Sequence, residues 1–326
     1  MKRRLLLCLA PIALLSTSCV KKKVTTDDPK NYPFEITTTV GMIADVTHEI
    51  AGEHAEVTNI IGEGIDPHAY MATKGDIDRL DQSDLVFYNG LHLEGKMGQV
   101  LESQRKKGKP VHAVSEALLG NDYKIIGGAT ESDPHVWMDV VAWALVAREI
   151  TDRLAEFDPD HANDYETNLA SYTTKLADLD AQARRCFASI PEKNRALVTA
   201  HDAFSYLGRA YGIDVRGIQG ISTESEAGVK GIEDLVDFLV KNELPAVFVE
   251  SSVSDKSVKA IIEGAAAQGK TVIIGGELFS DAMGQVGSYE GTYIGMIDHN
   301  ITTITRALGG EIPAQGIYGK LTPTQH

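Results

Sequence analysis

Cysteine is scarce in this chain. Cys8, Cys19 and Cys186 are the three cysteines among 326 residues, and we expect Cys8 to be removed with an N-terminal leader. The mature chain then has an intrachain disulfide only if Cys19 stays a free thiol and pairs with Cys186. A thiolate-rich metal site is excluded as well, so any transition metal must be bound by nitrogen and oxygen atoms.

Long apolar runs are also missing, apart from one near the N-terminus. Residues 5–15 form an apolar run that follows the basic residues 2–4 and is too short to span a bilayer. The small residues after this run end at Cys19, so we predict a signal peptide over residues 1–18 and lipidation of the Cys19 thiol. Ser16 stands where lipoprotein leaders usually have leucine, and this leaves an ordinary signal peptide, cleaved nearby, as the alternative.

Positive charge is in deficit. Lys and Arg number 31 against 46 Asp and Glu, which makes the net charge −15. Loss of the basic leader residues brings the mature chain to about −18. Such a charge disfavours nucleic acid and anionic lipid headgroups as partners and is compatible with cationic ligands. The motifs G-x-S-x-G and H-E-x-x-H do not occur, so neither signature of a hydrolase is present.

Short β-rich runs alternate with helical patterns in both halves of the mature chain. The predicted strands cover residues 35–40, 55–61, 84–88, 110–114, 196–199, 214–218, 246–250 and 271–275. The predicted helices cover residues 44–50, 74–82, 95–106, 204–211, 229–241, 254–267 and 291–308. This alternation predicts an α/β fold with two lobes of the (βα)4 type, each built on a parallel sheet. We place the lobes at residues 34–157 and 191–326, after a flexible tether over residues 19–33.

The segment between the two halves has the pattern of one long helix over residues 158–190. Asp158 is the predicted N-cap, Pro159 the first helical residue, and Pro191 ends the helix. Apolar residues recur at alternating steps of four and three: Tyr165, Leu169, Tyr172, Leu176, Leu179, Ala183, Cys186 and Ile190. A helix of this length is a rod of about 45 Å. Its position predicts a rigid connection between the lobes, and an ordinary amphipathic helix is the alternative.

Four side chains are candidate metal ligands. Asp66-Pro67-His68 is repeated as Asp133-Pro134-His135, and His201 and Asp281 follow at comparable intervals. Each candidate follows a predicted strand or lies between elements, and ligand sites of open α/β sheets lie outside the carboxyl ends of the strands. Four such loops from two facing lobes could therefore converge in one cleft between the lobes. Three imidazoles and one carboxylate suit Zn²⁺, and also Mn²⁺ or Fe²⁺.

The residues around these candidates have less specific interpretations. Asp66, Asp133 and Asp202 either fix imidazole tautomers by hydrogen bonding or cap turns in contact with solvent. The other histidines are interpreted as surface or packing residues: His48, His54, His92, His112, His161, His299 and His326.

The candidate ligands lie within longer motifs that resemble a known family. These motifs are Gly64-Ile65-Asp66-Pro67-His68, Tyr88-Asn89-Gly90-Leu91-His92-Leu93-Glu94, Asp133-Pro134-His135-Val136-Trp137, Leu197-Val198-Thr199-Ala200-His201-Asp202-Ala203-Phe204 and Gly275-Gly276-Glu277-Leu278-Phe279-Ser280-Asp281-Ala282-Met283-Gly284. The chain resembles, over nearly its whole mature length, the solute-binding receptors of bacterial zinc/manganese ABC transporters (cluster A-I, or cluster 9), and most closely the treponemal TroA type.

This resemblance implies two βα lobes joined by one long helix, with the metal in the cleft between them. It assigns the four ligand positions to His68, His135, His201 and Asp281. Manganese-selective members have Glu at the third position, so His201 favours zinc. Zinc-specialised members often have a long histidine-rich loop, however, and residues 120–132 contain no histidine. The transported metal therefore stays open among Zn²⁺, Mn²⁺ and Fe²⁺.

The function that the resemblance implies is transport rather than catalysis. We expect a monomeric, extracytoplasmic lipoprotein at the outer face of a bacterial membrane, which captures the metal and delivers it to an ABC-transporter permease. Two alternatives remain. An exported metallohydrolase would need an open coordination position and a general base, for which Glu250 and Glu277 are candidates. A surface adhesin would bind metal only incidentally.

Overall fold

The computed structural model describes residues 31–127, 132–224 and 228–322. The predicted signal peptide, Cys19 and most of the predicted tether lie outside these residues. From Tyr32 onward the chain forms one compact unit, so the lobe boundaries at residues 34–157 and 191–326 stay a prediction. No helix in the described part of the chain is both long and apolar enough to cross a membrane.

The first half of the chain folds into a parallel four-stranded sheet in the order β2-β1-β3-β4. Ile36 at the centre of β1 pairs with Val57 on one side and Leu85 on the other. Strand β3, Leu85–Tyr88, lies between β1 and β4 and has the continuous apolar sequence expected of a parallel strand covered on both faces. The elements are β1 Phe34–Thr38, α1 Gly41–Ala51, β2 Ala55–Asn59, α2 Lys74–Gln82, β3 Leu85–Tyr88, α3 Gly98–Lys106 and β4 Val111–Ala113.

Next along the chain come two helices that connect the halves: α4 Val140–Phe157 and α5 Ala162–Ser189. Helix α4 was not among the predicted elements. Asp139 caps it by accepting the N–H groups of Val141 and Ala142. Its buried residues nevertheless follow a helical period: Val140, Trp143, Val146, Ala147, Ile150 and Leu154. The sequence therefore contained the signal that was missed.

Helix α5 corrects two details of the prediction. It begins at Ala162, after a 3₁₀ turn over Pro159–His161, and Asp158 does not cap it with its side chain. The Asp158 carboxylate accepts hydrogen bonds from the hydroxyls of Tyr32 and Tyr165, each at 2.6 Å. The buried face of the helix includes Phe187, whereas Cys186 is only partly buried. Helix α5 packs against α1 and α4, and in the second half against the helices α6 (Ser205–Tyr211) and α9 (Tyr293–Ala307).

The second half of the chain forms two parallel strand pairs, β5-β6 and β7-β8, with β5 beside β7. The register of β7 and β8 shifts at Val247/Phe248, and β8 extends further than predicted, to Leu278. The elements are β5 Ala196–His201, α6 Ser205–Tyr211, β6 Asp214–Gln219, α7 Val229–Lys241, β7 Ala246–Glu250, α8 Lys256–Ala267, β8 Ile273–Leu278 and α9 Tyr293–Ala307. The predicted fold class is confirmed, with parallel sheets, two lobes and one long helix.

Candidate metal centre

The four candidate ligands come from four separate places in the chain and meet in the structure. His68 lies in the loop after β2, and His135 lies just before a short 3₁₀ turn that leads into α4. His201 is the last residue of β5, and Asp281 follows β8. His68, His201 and Asp281 thus lie at or after the carboxyl ends of parallel strands in both halves of the chain, the usual place for ligands in α/β folds.

The distances between the ligand atoms fit a single ion. The Nε2 atom of His135 lies 3.3 Å from that of His68 and 3.4 Å from that of His201. The Asp281 carboxylate oxygens lie 3.2 Å from Nε2 of His135 and of His201, and 3.9 Å from Nε2 of His68. Tetrahedral coordination with bonds of about 2.05 Å places its ligand atoms about 3.3 Å apart. The separations of His135 from His68, His201 and Asp281, and of His201 from Asp281, match this value, while His68 lies farther from Asp281.

All four side chains are buried, with His68 the most exposed at 4 %. The two carboxylate oxygens of Asp281 face the Nε2 atoms of His135 and His201 at 3.2 Å, but neither makes a well-directed hydrogen bond among the described residues. A buried carboxylate without hydrogen bonds is unfavourable unless a cation compensates its charge. The donor set therefore fits a divalent ion, and within the described chain it is the one such group of His, Cys, Asp or Glu side chains.

Asp133 fixes the orientation of the His135 ring. One carboxylate oxygen accepts both the backbone N–H of His135 at 3.0 Å and its ring Nδ1–H at 2.7 Å. The proton on Nδ1 leaves Nε2 to face the other ligands. Burial by itself lowers the pKa of His135, but Asp133 and Asp281 outweigh it and raise the pKa to about 9.

Glu250 does the same for His201. Its two oxygens accept the backbone N–H of His201 at 2.8 Å and the ring Nδ1–H at 2.5 Å. Burial opposes charging of the ring, yet Asp281 and Glu250 together raise the pKa of His201 well above its usual value. In turn, His201 and His135 outweigh the burial of Asp281 and hold its pKa well below its usual value. From the sequence, Glu250 was considered only as a possible catalytic base. Its position at the end of β7, a strand that lies beside β5, could have indicated contact with His201 at the end of β5.

His68 is held differently. Asp66 accepts its backbone N–H at 2.8 Å and, with the other oxygen, the hydroxyl of Thr223 at 2.6 Å. Burial lowers the pKa of His68 to about 4, although Asp281 opposes this shift. Asp202 accepts the hydroxyl of Ser205 at 2.7 Å, at the start of α6. Of the three flanking aspartates, Asp133 alone is bonded to the ring of a candidate ligand, while Asp66 caps the turn at His68 and Asp202 is bonded to Ser205.

The remaining described histidines do not join the metal cluster. His54 and His161 stack on each other with ring centroids 3.9 Å apart, next to Tyr32. The ring of His299 is bonded to the backbone oxygen of Glu277. His326 lies outside the described residues. The positions of His54, His161 and His299 agree with their interpretation as surface or packing residues.

Fold and site together define a two-lobed receptor for a divalent metal, and comparison with known proteins agrees. Residues 36–307 match the family described as ZnuA, zinc-uptake complex component A, periplasmic. The manganese-binding lipoprotein MntA of Bacillus subtilis is 47% identical over 274 residues, which is 84% of this chain and 89% of MntA. The zinc-binding protein TroA of Treponema pallidum is 45% identical over 273 residues, covering 84% and 88% of the two chains.

Solved structures show the same fold. The periplasmic zinc-binding protein TroA of Treponema pallidum superposes with a TM-score of 0.81 at 44% identity, over 84% of this chain and 98% of the other. Fe(III)-bound YtgA of Chlamydia trachomatis superposes with a TM-score of 0.77 at 29% identity, over 85% and 99%. The chain belongs to the ZnuA family, the solute-binding proteins of zinc and manganese ABC transporters, as the sequence motifs indicate.

Proposed function

We propose that the protein captures one divalent transition-metal ion through His68, His135, His201 and Asp281 and delivers it to an ABC-transporter permease. The main support for this proposal is the buried cluster of four ligand atoms, all within 4.8 Å of one another. Four protein ligands saturate a tetrahedral ion, and such sites hold metal rather than activate water. This geometry supports a transport receptor.

The same geometry argues against a metallohydrolase. Glu250, one candidate base, is bonded through both oxygens to His201. Glu277, the other, is exposed on β8. Neither carboxylate is placed to take a proton from a metal-bound water. Among the residues that the structure describes, no feature supports a separate adhesin function.

We propose Zn²⁺ as the ion bound more tightly and Mn²⁺ as a weaker ligand. Three imidazoles and one carboxylate form a borderline donor set, and such a set prefers zinc to manganese in the usual order of metal affinities. The relatives are named for either metal, MntA for manganese and TroA for zinc.

We also propose that the mature protein is a monomer, anchored by a lipid on Cys19 to the outer face of a membrane. The leader pattern supports the anchor, and relatives such as MntA and SsaB are named lipoproteins. Mass spectrometry of the mature protein should find acyl groups on residue 19. A mature chain that begins elsewhere would exclude the anchor.

Elemental analysis tests the central proposal. Protein purified without chelator should contain one divalent ion per chain. His68→Ala and His201→Ala should lose tight binding, while circular dichroism of the metal-free proteins stays unchanged, because a large hydrophobic core that does not include these side chains stabilises both halves. His48→Ala, which removes an exposed histidine on α1, is the matched control and should bind normally. Full, tight binding by either ligand variant would remove that residue from the site.

A further inference from the structure

A left-handed turn follows β3, within the Asn89–Glu94 motif. Gly90, Leu91 and His92 have positive φ angles of 78°, 52° and 68°. Two of these three residues are not glycine, and their conformation is unfavourable for L-amino acids. Strained segments of this kind persist only where the surrounding structure holds them, and they are often associated with functional sites.

A buried carboxylate holds this turn. Glu94 accepts the backbone N–H groups of Asn89 at 2.7 Å and Gly90 at 3.1 Å. It also accepts the hydroxyl of Thr39, on the loop after β1, at 2.7 Å. Gly90 has no room for a side chain, because a Cβ there would lie 2.8 Å from the Cβ of Ala113. The turn is therefore held by Glu94 of the same motif and by the close packing of Gly90 against β4.

The turn places the side chain of Asn89, which is fully buried. Its amide Nδ2 donates to the backbone oxygen of Pro134 at 3.1 Å, and its Oδ1 accepts the hydroxyl of Ser115 at 2.7 Å. The bond from Ser115 determines which end of the amide faces Pro134. The motif thus reaches the peptide group that directly precedes a metal ligand.

The Pro134 oxygen is part of a tight turn centred on His135. It also accepts the N–H of Val136 at 2.8 Å, and His135 has φ −80° and ψ 42°. Asp133 controls the ring of His135 and its N–H. The Pro134 carbonyl, by contrast, is held from outside the turn by Asn89. Rotation of this peptide would move the His135 ring out of the cluster.

We propose that Asn89 is a positioning residue for the metal site, which holds the Pro134–His135 peptide so that Nε2 of His135 points at the ion. The left-handed turn and Glu94 keep Asn89 in place for this role. The inference rests on the proposed function, since it concerns the same four ligands. It assigns a role to a motif that contributes no ligand itself.

Co²⁺ is a suitable probe, because its visible absorption bands report the geometry of the donor set around the ion. Asn89→Asp removes the amide donor with almost no change in size. We expect Co²⁺ affinity to fall by about 10-fold or more, since outer partners of metal ligands typically contribute this much. The visible bands should also shift. Glu94→Gln, which replaces an acceptor facing Gly90 N–H by a donor, should change the spectrum in the same direction.

Asn168→Asp is the matched control. Asn168 on α5 also donates its amide to a backbone oxygen, that of Ile50 at 2.9 Å, but it does not contact the metal ligands. This variant should lose stability and keep the native spectrum and affinity. A native spectrum and affinity in Asn89→Asp, or in Glu94→Gln if Asn89→Asp does not fold, would overturn the inference. Equal effects of Asn89→Asp and Asn168→Asp would also overturn it. Failure of the unmodified protein to bind Co²⁺ would instead contradict the proposed function.

Discussion

At the scale of single residues, the metal site is a cluster of buried charges. The carboxylates of Asp133, Glu250 and Asp281 surround two imidazoles, His135 and His201, whose pKa values are raised. Without a metal ion, these imidazoles carry protons at neutral pH and compensate part of the negative charge. Binding of a divalent ion must displace both protons, because a protonated nitrogen cannot coordinate.

Metal affinity should therefore fall as the pH falls. His135 has a pKa of about 9 and the pKa of His201 is also raised, so we expect both to be protonated in the metal-free protein between pH 5.5 and 7.5. His68 stays neutral until the pH approaches its pKa of about 4. The logarithm of the affinity should thus decrease by roughly two for each pH unit between 7.5 and 5.5. Three histidines with ordinary pKa values would instead all become protonated near pH 6.5.

Competition titrations with a chelator of known affinity, at several pH values, measure this slope. Calorimetry in buffers of different ionisation enthalpy counts the released protons independently. A slope near three would mean that His68 is also protonated in the metal-free protein. A flat profile would mean that the histidines do not coordinate.

Glu250→Gln tests the partner of His201. A glutamine keeps the size of the side chain, but it puts an NH2 donor in place of one of the two oxygens that accept the backbone N–H and the ring N–H, so the present pair of bonds cannot be kept. We expect metal affinity to fall by about 10- to 100-fold. The number of protons released on metal binding should fall towards one, because Glu250 helps to raise the pKa of His201 and the neutral glutamine does not. Glu277→Gln, on the exposed side of β8, is the control and should change neither quantity.

At the scale of elements, helix α5 shows how a regular pattern drifts. Its buried residues keep steps of four and three up to Ala183, but the next buried residue is Phe187 rather than Cys186. An α-helix has 3.6 residues per turn, so strict alternation of four and three turns slowly away from the packed face. The Phe187 ring stacks on Tyr211, with centroids 5.1 Å apart, and this contact selects the longer step.

Truncation of the two neighbours should have very different costs. Phe187→Ala should lower the free energy of unfolding by about 3–5 kcal/mol, as for other large buried aromatic residues. Cys186→Ala should cost about 1 kcal/mol, because its side chain is smaller and only partly buried. Urea unfolding of the metal-free proteins measures both values. Equal costs would place Cys186 on the packed face, as the sequence pattern alone suggested.

At the scale of the whole molecule, hydrogen bonds between the two halves surround the metal cluster. Trp137 donates its indole N–H to the Ser280 oxygen at 2.9 Å, and the Tyr293 hydroxyl donates to the Trp137 oxygen at 2.8 Å. The Tyr206 hydroxyl donates to the Asp133 oxygen at 2.9 Å. These bonds are buried, so breaking them without replacement is unfavourable. Together with α5, which contacts both halves, they oppose a wide opening of the cleft.

Metal binding should therefore change the overall dimensions of the protein only slightly. Small-angle scattering of the metal-free and metal-loaded forms should give nearly equal radii of gyration. A large decrease on loading, as in hinge closure, would contradict this expectation. Trp137→Phe removes one bond between the halves and should make the response to metal larger than in the unmodified protein.

Most of the helices and strands, and the four candidate ligands, can be predicted from the amino-acid sequence. Helices α2 and α7 have the predicted bounds, because their polar and apolar residues alternate with a local period that the chain expresses directly. His68, His135, His201 and Asp281 were found because each lies in a short motif. The parallel α/β order in both halves then predicted that these motifs converge between two facing lobes.

The groups that surround the candidate ligands, by contrast, could be identified only from the tertiary structure. Glu250 is 49 residues from His201 in sequence, yet it is bonded to its ring. Asn89 is 45 residues from Pro134 and holds its carbonyl. Asp158 likewise binds Tyr32 instead of capping its own helix. Local periodicity encodes which face of an element is apolar, but hydrogen bonds between distant side chains form only once packing brings their elements together and removes water from between them.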